Sequence, residues 1–188
     1  RQGQRSDGAV RGRRPVSAPT RVVSTVGPVL IIGSGLLGAS LGLALRAGGV
    51  RVYLEDASPT SLRLASDVGA GVAFGDAIDE AGVAYADAGT DAPGYEAPRI
   101  VVVATPPDVA DRVIVDSLLR FPGAIVTDVA SVKDAVVADV LRGLEREDCL
   151  EAASRYVGSH PMAGRERSGA GAADADLFYG RPWVIVAH

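Results

Sequence analysis

The sequence predicts an α/β fold, a doubly wound, mainly parallel sheet with helices on both faces. Two observations support this prediction. From Pro28 onward, short apolar runs alternate with stretches of helical periodicity, which is typical of parallel strands joined by helices. The first apolar run is followed directly by a glycine-rich turn, Gly33-Ser34-Gly35-Leu36-Leu37-Gly38, the usual junction between the first strand and first helix of a Rossmann-type sheet.

Seven short apolar runs predict the strands. The runs at residues 29–32 and 100–104 contain only apolar side chains rich in Val and Ile, the pattern of strands that are buried on both faces. In chain order, the predicted strands are residues 29–32, 50–55, 72–74, 100–104, 124–127, 156–159 and 183–187.

Helix signals lie between the predicted strands. A helix over residues 36–47 ends at Gly48-Gly49, and a second begins at Ser58-Pro59, with Ser58 as its N-cap, and stops at Gly69. Residues 76–86 are predicted to be helical.

Two further helices follow in the second half of the chain. Pro106-Pro107 opens the first of them, whose apolar residues Val109, Val113 and Leu118 share roughly one face. The second has apolar residues at positions 132, 136, 137, 140 and 144, and Ser131 is its candidate N-cap.

The composition excludes several classes of protein. Hydrophobic residues make up 47% of the 188 residues and charged residues 22%, the balance of a soluble globular domain rather than of a disordered chain. No apolar run approaches the roughly 20 residues that a membrane-spanning helix needs. One cysteine excludes an internal disulfide, and with two histidines we expect no metal site. We expect a cytoplasmic protein without a membrane partner.

The first 26 residues differ in charge from the rest. They hold six arginines and one aspartate, a net charge of +5, and are rich in Gly, Ser and Pro. We predict a basic flexible arm over residues 1–26 and one domain over 27–188; a phosphate-binding arm and a transit peptide are the alternatives for the arm. The remaining 13 basic and 22 acidic residues give a net charge of −9, which argues against nucleic acid as a partner.

The glycine-rich turn predicts a dinucleotide site. Gly33 permits the tight turn, Gly35 lets the backbone approach a pyrophosphate, and Gly38 lets the helix pack closely on the strand. Asp56 lies 18 residues after Gly38, at the end of the second strand, where a carboxylate binds ribose hydroxyls and repels a 2′-phosphate. We therefore expect NAD rather than NADP. A shift of one residue would place Glu55 in this role instead. The alternative for the turn itself is that it belongs to a doubly wound protein that binds no nucleotide.

A second turn is expected beside the cofactor, because ligands of open α/β sheets lie beyond the carboxyl ends of the strands. Thr105 and Pro106 follow the fourth strand and would lie near the nicotinamide; alternatively, the prolines only start a helix. The predicted cofactor-binding residues are Gly33, Ser34, Gly35, Leu36, Leu37, Gly38, Asp56, Thr105 and Pro106.

His160 and Ser131 are the candidate catalytic residues. Each follows a predicted strand, so both belong to the sheet edge that carries the glycine-rich turn. An imidazole there can accept a proton near neutral pH. The alternatives are a structural histidine and a serine that only caps a helix.

Four segments together resemble the prephenate dehydrogenase family, which includes arogenate dehydrogenases. The first two, residues 31–38 and 102–107, are common to many dehydrogenases. Residues 127–133 (Thr-Asp-Val-Ala-Ser-Val-Lys) and 158–164 (Gly-Ser-His-Pro-Met-Ala-Gly) are more specific in this order and spacing. The resemblance covers roughly residues 28–187.

The resemblance implies NAD-dependent oxidative decarboxylation of prephenate to 4-hydroxyphenylpyruvate in tyrosine biosynthesis, with arogenate as the alternative substrate. His160 would accept the proton of the ring hydroxyl, and Ser131 would orient the imidazole or the substrate hydroxyl. Asp128 would be a supporting hydrogen-bond acceptor, and Lys133 a structural or phosphate-side charge.

The chain also departs from the family pattern. The family's helical C-terminal domain, which implies a homodimer and supplies basic residues for the substrate carboxylates, is absent from this chain, so we expect the isolated chain to have little activity. Many relatives have Thr after the His-Pro-Met-Ala-Gly run, where this chain has Arg165. Arg165 is a candidate for binding a substrate carboxylate, and a solvated loop is the alternative. Another NAD-dependent oxidoreductase and a non-catalytic dinucleotide-binding module are the competing functions.

Overall fold

The computed structural model describes residues 27–76, 96–164 and 166–186. Within these residues, seven strands form one sheet in the order β3-β2-β1-β4-β5-β6-β7. All neighbouring pairs are parallel except β6 and β7, which are antiparallel. The strands are β1 (Val29–Ile32), β2 (Val52–Glu55), β3 (Val72–Ala73), β4 (Ile100–Val103), β5 (Ile125–Asp128), β6 (Tyr156–Pro161) and β7 (Trp183–Val186).

Helices cover both faces of the sheet. The α-helices are α1 (Leu36–Ala47), α2 (Pro59–Asp67), α3 (Pro107–Arg120) and α4 (Lys133–Arg146), and three 3-10 helices span Phe74–Asp76, Leu150–Arg155 and Ala170–Ala172. No helix in the described ranges is long and apolar enough to cross a membrane.

The core has two layers because successive strand side chains point to opposite faces. In β1, Leu30 and Ile32 pack with α3 and α4, whereas Val29 and Ile31 pack with α1 and α2. All four are buried, which explains the continuous apolar pattern of this strand.

The strand order confirms the doubly wound fold and places the site. The chain winds in one direction from β1 to β3 and in the other from β4 to β6, so the direction reverses between β1 and β4. In the sheet register, Ile32 pairs with Glu55 and with Val103, and Val103 pairs with Asp128. The loops that follow these strands therefore begin at the same edge of the sheet.

Most element predictions agree with the structure, and the differences have local causes. Ser58 caps α2 as expected, accepting a hydrogen bond from the Ser61 amide. Ser131 does not cap α4: the N-cap is Val132, and no described side chain caps this end. The prediction for residues 76–86 and the basic arm over 1–26 lie almost wholly outside the described residues; only Asp76 is described, at the end of a 3-10 helix.

Candidate functional site

The glycine-rich turn has the geometry that its three glycines predict. Gly33 has φ of +103°, and a Cβ there would lie 2.6 Å from the carbonyl oxygen of Ala104. A Cβ on Gly38 would lie 1.9 Å from the carbonyl oxygen of Gly33. By contrast, a Cβ on Gly35 would meet no atom within 4 Å. Two glycines thus let the strand, turn and helix pack together, and the third faces open space.

The start of α1 is open to an anion. Gly35 is its N-cap, no described side chain caps this end, and the first turn contains no acidic residue. Its first backbone N–H groups, beginning with those of Leu36 and Leu37, therefore combine with the positive end of the helix dipole. The Ser34 hydroxyl beside them is buried, and no described group bonds to it.

The side chain of Asp56, and not that of Glu55, bonds to the glycine-rich turn. Its Oδ2 accepts a hydrogen bond of 2.6 Å from the Ser34 amide, and its Oδ1 accepts one of 2.8 Å from the Ser58 amide. Glu55 instead pairs with Arg120 at 2.9 Å. The one-residue ambiguity at the end of β2 is therefore resolved by the opposite directions of the two side chains.

A cavity of about 530 Å³ opens between the ends of β1, β2 and β4. We call it the β1–β4 cleft. The hydroxyl of Thr105, which lines it, is buried and has no hydrogen-bond partner among the described residues. Pro106, the N-cap of α3, is exposed next to it. The lining residues are Ile32, Gly33, Glu55, Asp56, Ala57, Thr105, Val109, Arg112, Val113 and Asp116.

The cleft fits a dinucleotide by three observations. Gly35 has open space beside its backbone, at a helix start that no described side chain caps. The buried hydroxyls of Ser34 and Thr105 have no hydrogen-bond partners in the described part of the chain. Asp56 lies directly after β2 and bonds to the turn. The contribution of α3 to this cleft was not predicted from the sequence. One face of α3 lines the cleft with Val109, Arg112, Val113 and Asp116, which are spaced three and four residues apart. The same spacing had been used only to identify the apolar face of this helix, so the polar residues Arg112 and Asp116 were not recognised as part of a site.

His160 lies within β6, one residue before its end, rather than after the strand as predicted. It is half-buried, and its Nδ1 is fully buried without a hydrogen-bond partner in the described structure. Ser131 is exposed in the loop between β5 and α4. Ser131 therefore lies in the loop after β5, and His160 lies near the end of β6, the parallel strand beside it. No hydrogen bond joins the two side chains in the described ranges.

Asp128 connects the segments that carry these two residues. This fully buried carboxylate forms an ion pair with Lys133 and accepts hydrogen bonds from the Ala130 amide, the Tyr156 hydroxyl and the Ser159 amide. Burial raises the pKa of Tyr156 far above its ordinary value, and the Asp128 charge and hydrogen bond raise it further. Tyr156 is therefore a permanent donor to Asp128 at neutral pH.

The substrate-side prediction for Arg165 lies outside the described residues. Its described neighbours Glu166 and Arg167 are exposed and line a cavity of about 420 Å³ together with residues 171–173. In the ranges that the structure describes, no three His, Cys, Asp or Glu side chains come together as a metal site.

Comparison with known proteins identifies the family. The family model described as "Prephenate dehydrogenase, nucleotide-binding domain" matches residues 41–187. The chain is 40% identical over 157 residues to the Streptomyces niveus protein named "Probable prephenate dehydrogenase NovF"; the match covers 84% of this chain and 37% of that protein.

Solved structures of related enzymes have the same architecture. The prephenate dehydrogenase of A. aeolicus, in complex with hydroxyphenyl propionate and NAD+, has a TM-score of 0.65 and 26% identity, over 87% of this chain and 51% of that one. The arogenate dehydrogenase of Synechocystis has a TM-score of 0.64 and 25% identity, over 84% and 49%. The chain thus spans about half the length of these enzymes or less. It belongs to the prephenate dehydrogenase family and contains the NAD-binding domain of that family.

Proposed function

We propose that the full protein oxidises and decarboxylates prephenate with NAD+, yielding 4-hydroxyphenylpyruvate, CO2 and NADH. The observation that carries this proposal is the position of His160 in a chain of this family. Its buried Nδ1 lacks a partner among the described residues, and the end of its strand shares an edge of the sheet with the glycine-rich turn. A buried ring nitrogen without a hydrogen-bond partner is uncommon in native proteins, and a catalytic role is one of the reasons for which such a group is retained.

His160 is proposed as the general base. When bound, NAD+ supplies the acceptor for the hydride that leaves the ring carbon bearing the hydroxyl. His160 accepts the hydroxyl proton, so its imidazole must be neutral beforehand. The ring carbonyl that develops favours loss of the ring carboxylate as CO2, because this restores aromaticity.

Ser131 is proposed to orient the imidazole or the substrate hydroxyl. It is exposed within the β5–α4 connection and does not cap α4, so a ligand at this edge of the sheet can reach its hydroxyl. Arg165 is proposed as a further contact for a substrate carboxylate. The NAD contacts are proposed to come from residues 33–38, Asp56, Thr105 and Pro106, around the β1–β4 cleft.

Arogenate is the second candidate substrate. The Synechocystis arogenate dehydrogenase has almost the same TM-score to this chain as the A. aeolicus prephenate dehydrogenase. The two substrates differ by a keto and an amino group, and the reaction at the ring is the same. We further propose a role in tyrosine biosynthesis and a homodimer formed through a helical C-terminal domain.

The test uses the full-length gene product and the absorbance of NADH. Turnover is measured with prephenate and with arogenate, for the wild type, His160→Asn and Ser131→Ala. We expect His160→Asn to lower kcat by about 10²- to 10⁴-fold, the usual contribution of a general base, and Ser131→Ala by about 10-fold.

The NAD dissociation constant is the control in this test, and we expect both variants to retain it. Turnover of arogenate alone would keep the mechanism and change the substrate. Binding of NAD without turnover of either substrate would exclude the enzyme proposal and leave a cofactor-binding module.

A further inference from the structure

We infer that Asp128 is a positioning residue that sets the relative placement of Ser131 and His160; this inference rests on the proposed function of those two side chains. Its two carboxylate oxygens serve different segments. Oδ2 accepts a hydrogen bond of 3.1 Å from the Ala130 amide and pairs with Lys133, so it holds the loop that contains Ser131.

The other oxygen holds the strand that carries His160. Oδ1 accepts hydrogen bonds of 3.1 Å from the Tyr156 hydroxyl and 3.3 Å from the Ser159 amide, the residue before His160. The backbone carbonyl of Asp128 accepts a further bond of 2.6 Å from the Ser159 hydroxyl. One residue of β5 thus contacts β6 at both ends of the segment that leads to His160.

The sheet itself does not provide this connection. The parallel pairing of β5 with β6 includes only Val126 with Tyr156 and Thr127 with Val157, and beyond this β6 pairs with β7. Past residue 157, the hydrogen bonds between β5 and β6 in the described structure involve Ser159. The position of His160 relative to the Ser131 loop therefore depends on side chains, chiefly on Asp128.

The Lys133 side chain completes this arrangement and lies beside Gly158. A Cβ at Gly158 would lie 3.4 Å from Cδ of Lys133 and 3.6 Å from the Tyr156 hydroxyl, so the lysine passes directly over this glycine. The ammonium neutralises Asp128, whose side chain is fully buried while that of Lys133 is 10% exposed. A buried carboxylate persists only when its charge and lone pairs are satisfied, as here.

The Ser159 hydroxyl extends the connection to the edge strand. It donates to the Asp128 carbonyl and accepts hydrogen bonds from the Thr127 hydroxyl at 3.1 Å and from Nε1 of Trp183 at 3.0 Å. The hydroxyl thus uses its single donor and both acceptor positions. β5, β6 and β7 are held together by side chains immediately before His160.

The experiment compares Asp128→Asn and Tyr156→Phe with the wild type in the full-length protein. Asparagine keeps the shape but removes the charge and the second acceptor oxygen, and phenylalanine removes only one donor to Oδ1. We expect kcat to fall by about 10- to 100-fold in Asp128→Asn and by about 3-fold in Tyr156→Phe, because small misplacements of reacting groups are costly. The KM for NAD should change by less than about 2-fold. Adding Ser131→Ala to Asp128→Asn should cost much less than the product of the separate effects.

Arg155→Met is the matched control. Arg155 donates to the carbonyl oxygens of Leu118, Phe121 and Ala124, which lie before the start of β5, whereas the Ser131 loop follows the other end of this strand. Its removal should lower Tm without changing kcat at a temperature where the protein is folded. If Asp128→Asn behaves in the same way, with only a lower Tm and kcat within about 3-fold of the wild type, Asp128 is structural and the inference is wrong.

Hydrogen exchange separates this inference from the proposed function. In Asp128→Asn, residues 129–132 and 158–160 should lose protection together, while the glycine-rich turn is unchanged. This readout needs no turnover, so it decides the inference even if the wild type uses neither prephenate nor arogenate. Unchanged protection in either segment would overturn it. If Asp128→Asn does not fold, the same readouts in Tyr156→Phe decide it.

Discussion

The backbone amide of Ser34 donates a hydrogen bond of 2.6 Å to Oδ2 of Asp56. The glycine-rich turn and the end of β2 are therefore held together directly. The other oxygen of Asp56 accepts from the Ser58 amide, so the carboxylate has a fixed orientation at the β1–β4 cleft. Each carboxylate oxygen keeps a further lone pair, which leaves acceptors for the ribose hydroxyls of NAD.

Replacing Asp56 with Asn should weaken NAD binding and reduce discrimination against NADP. A carboxylate at this position of a dinucleotide-binding sheet accepts hydrogen bonds from ribose hydroxyls and repels a 2′-phosphate, whereas asparagine keeps one acceptor oxygen and has no charge. We expect the NAD dissociation constant to rise about 10-fold, the loss expected for a charge-assisted hydrogen bond, and the NADP constant to rise less or to fall.

Titration calorimetry with both cofactors measures this change. Glu55→Gln is the matched control, since Glu55 is the adjacent carboxylate and pairs with Arg120. An equal loss for NAD and NADP in Asp56→Asn, or a larger loss of NAD affinity in Glu55→Gln, would contradict the role of Asp56.

Because of the open space at Gly35, a substitution there should lower the affinity for NAD without lowering the stability of the fold. A methyl group there meets no atom within 4 Å, so Gly35→Ala should fold with a Tm close to that of the wild type. The same methyl group would occupy the space where the backbone approaches the pyrophosphate, so the affinity for NAD should fall by about 10-fold or more.

Gly38→Ala and Gly123→Ala complete this comparison. A Cβ on Gly38 would lie 1.9 Å from the Gly33 carbonyl oxygen, so this variant should lose stability, whereas Gly123 has open space and should tolerate alanine. Thermal unfolding and NAD titration of the three variants check the prediction. Normal NAD affinity in Gly35→Ala would show that the pyrophosphate does not approach this position.

The raised pKa of Tyr156 leads us to expect that the protein loses stability at alkaline pH. Burial, then the Asp128 charge and hydrogen bond, raise its pKa in the folded state, so the native protein holds this proton where the unfolded chain releases it. The free energy of unfolding should therefore fall as the pH rises above the ordinary tyrosine pKa of about 10, by up to about 1.4 kcal/mol per pH unit.

Urea unfolding between about pH 9 and pH 11 measures this slope. Tyr156→Phe removes the titrating group and should have the shallower slope, and Tyr179→Phe, at an exposed tyrosine, should keep the slope of the wild type. Equal slopes for the wild type and Tyr156→Phe would mean that Tyr156 titrates normally in the fold.

Patterns that depend on neighbouring residues were sufficient to predict most of the fold. The buried strand at residues 29–32, the helix that ends before Gly48-Gly49 and the cap at Ser58 all follow from local sequence, and each agrees with the structure. The cap predicted at Ser131 was wrong because Asp128 bonds the Ala130 amide and Lys133, and the helix begins one residue later than predicted, at Lys133 with Val132 as its N-cap.

The sequence by itself determined the doubly wound sheet, the glycine-rich turn and the order of the segments at the sheet edge, because these depend on backbone conformation, apolar periodicity and chain direction. Only the tertiary structure decided which carboxylate at the end of β2 contacts the turn, which face of α3 lines the cleft, and that Asp128 links the segments of Ser131 and His160. These features join residues that are far apart in the chain, and local patterns carry no information about the direction in which two distant side chains meet.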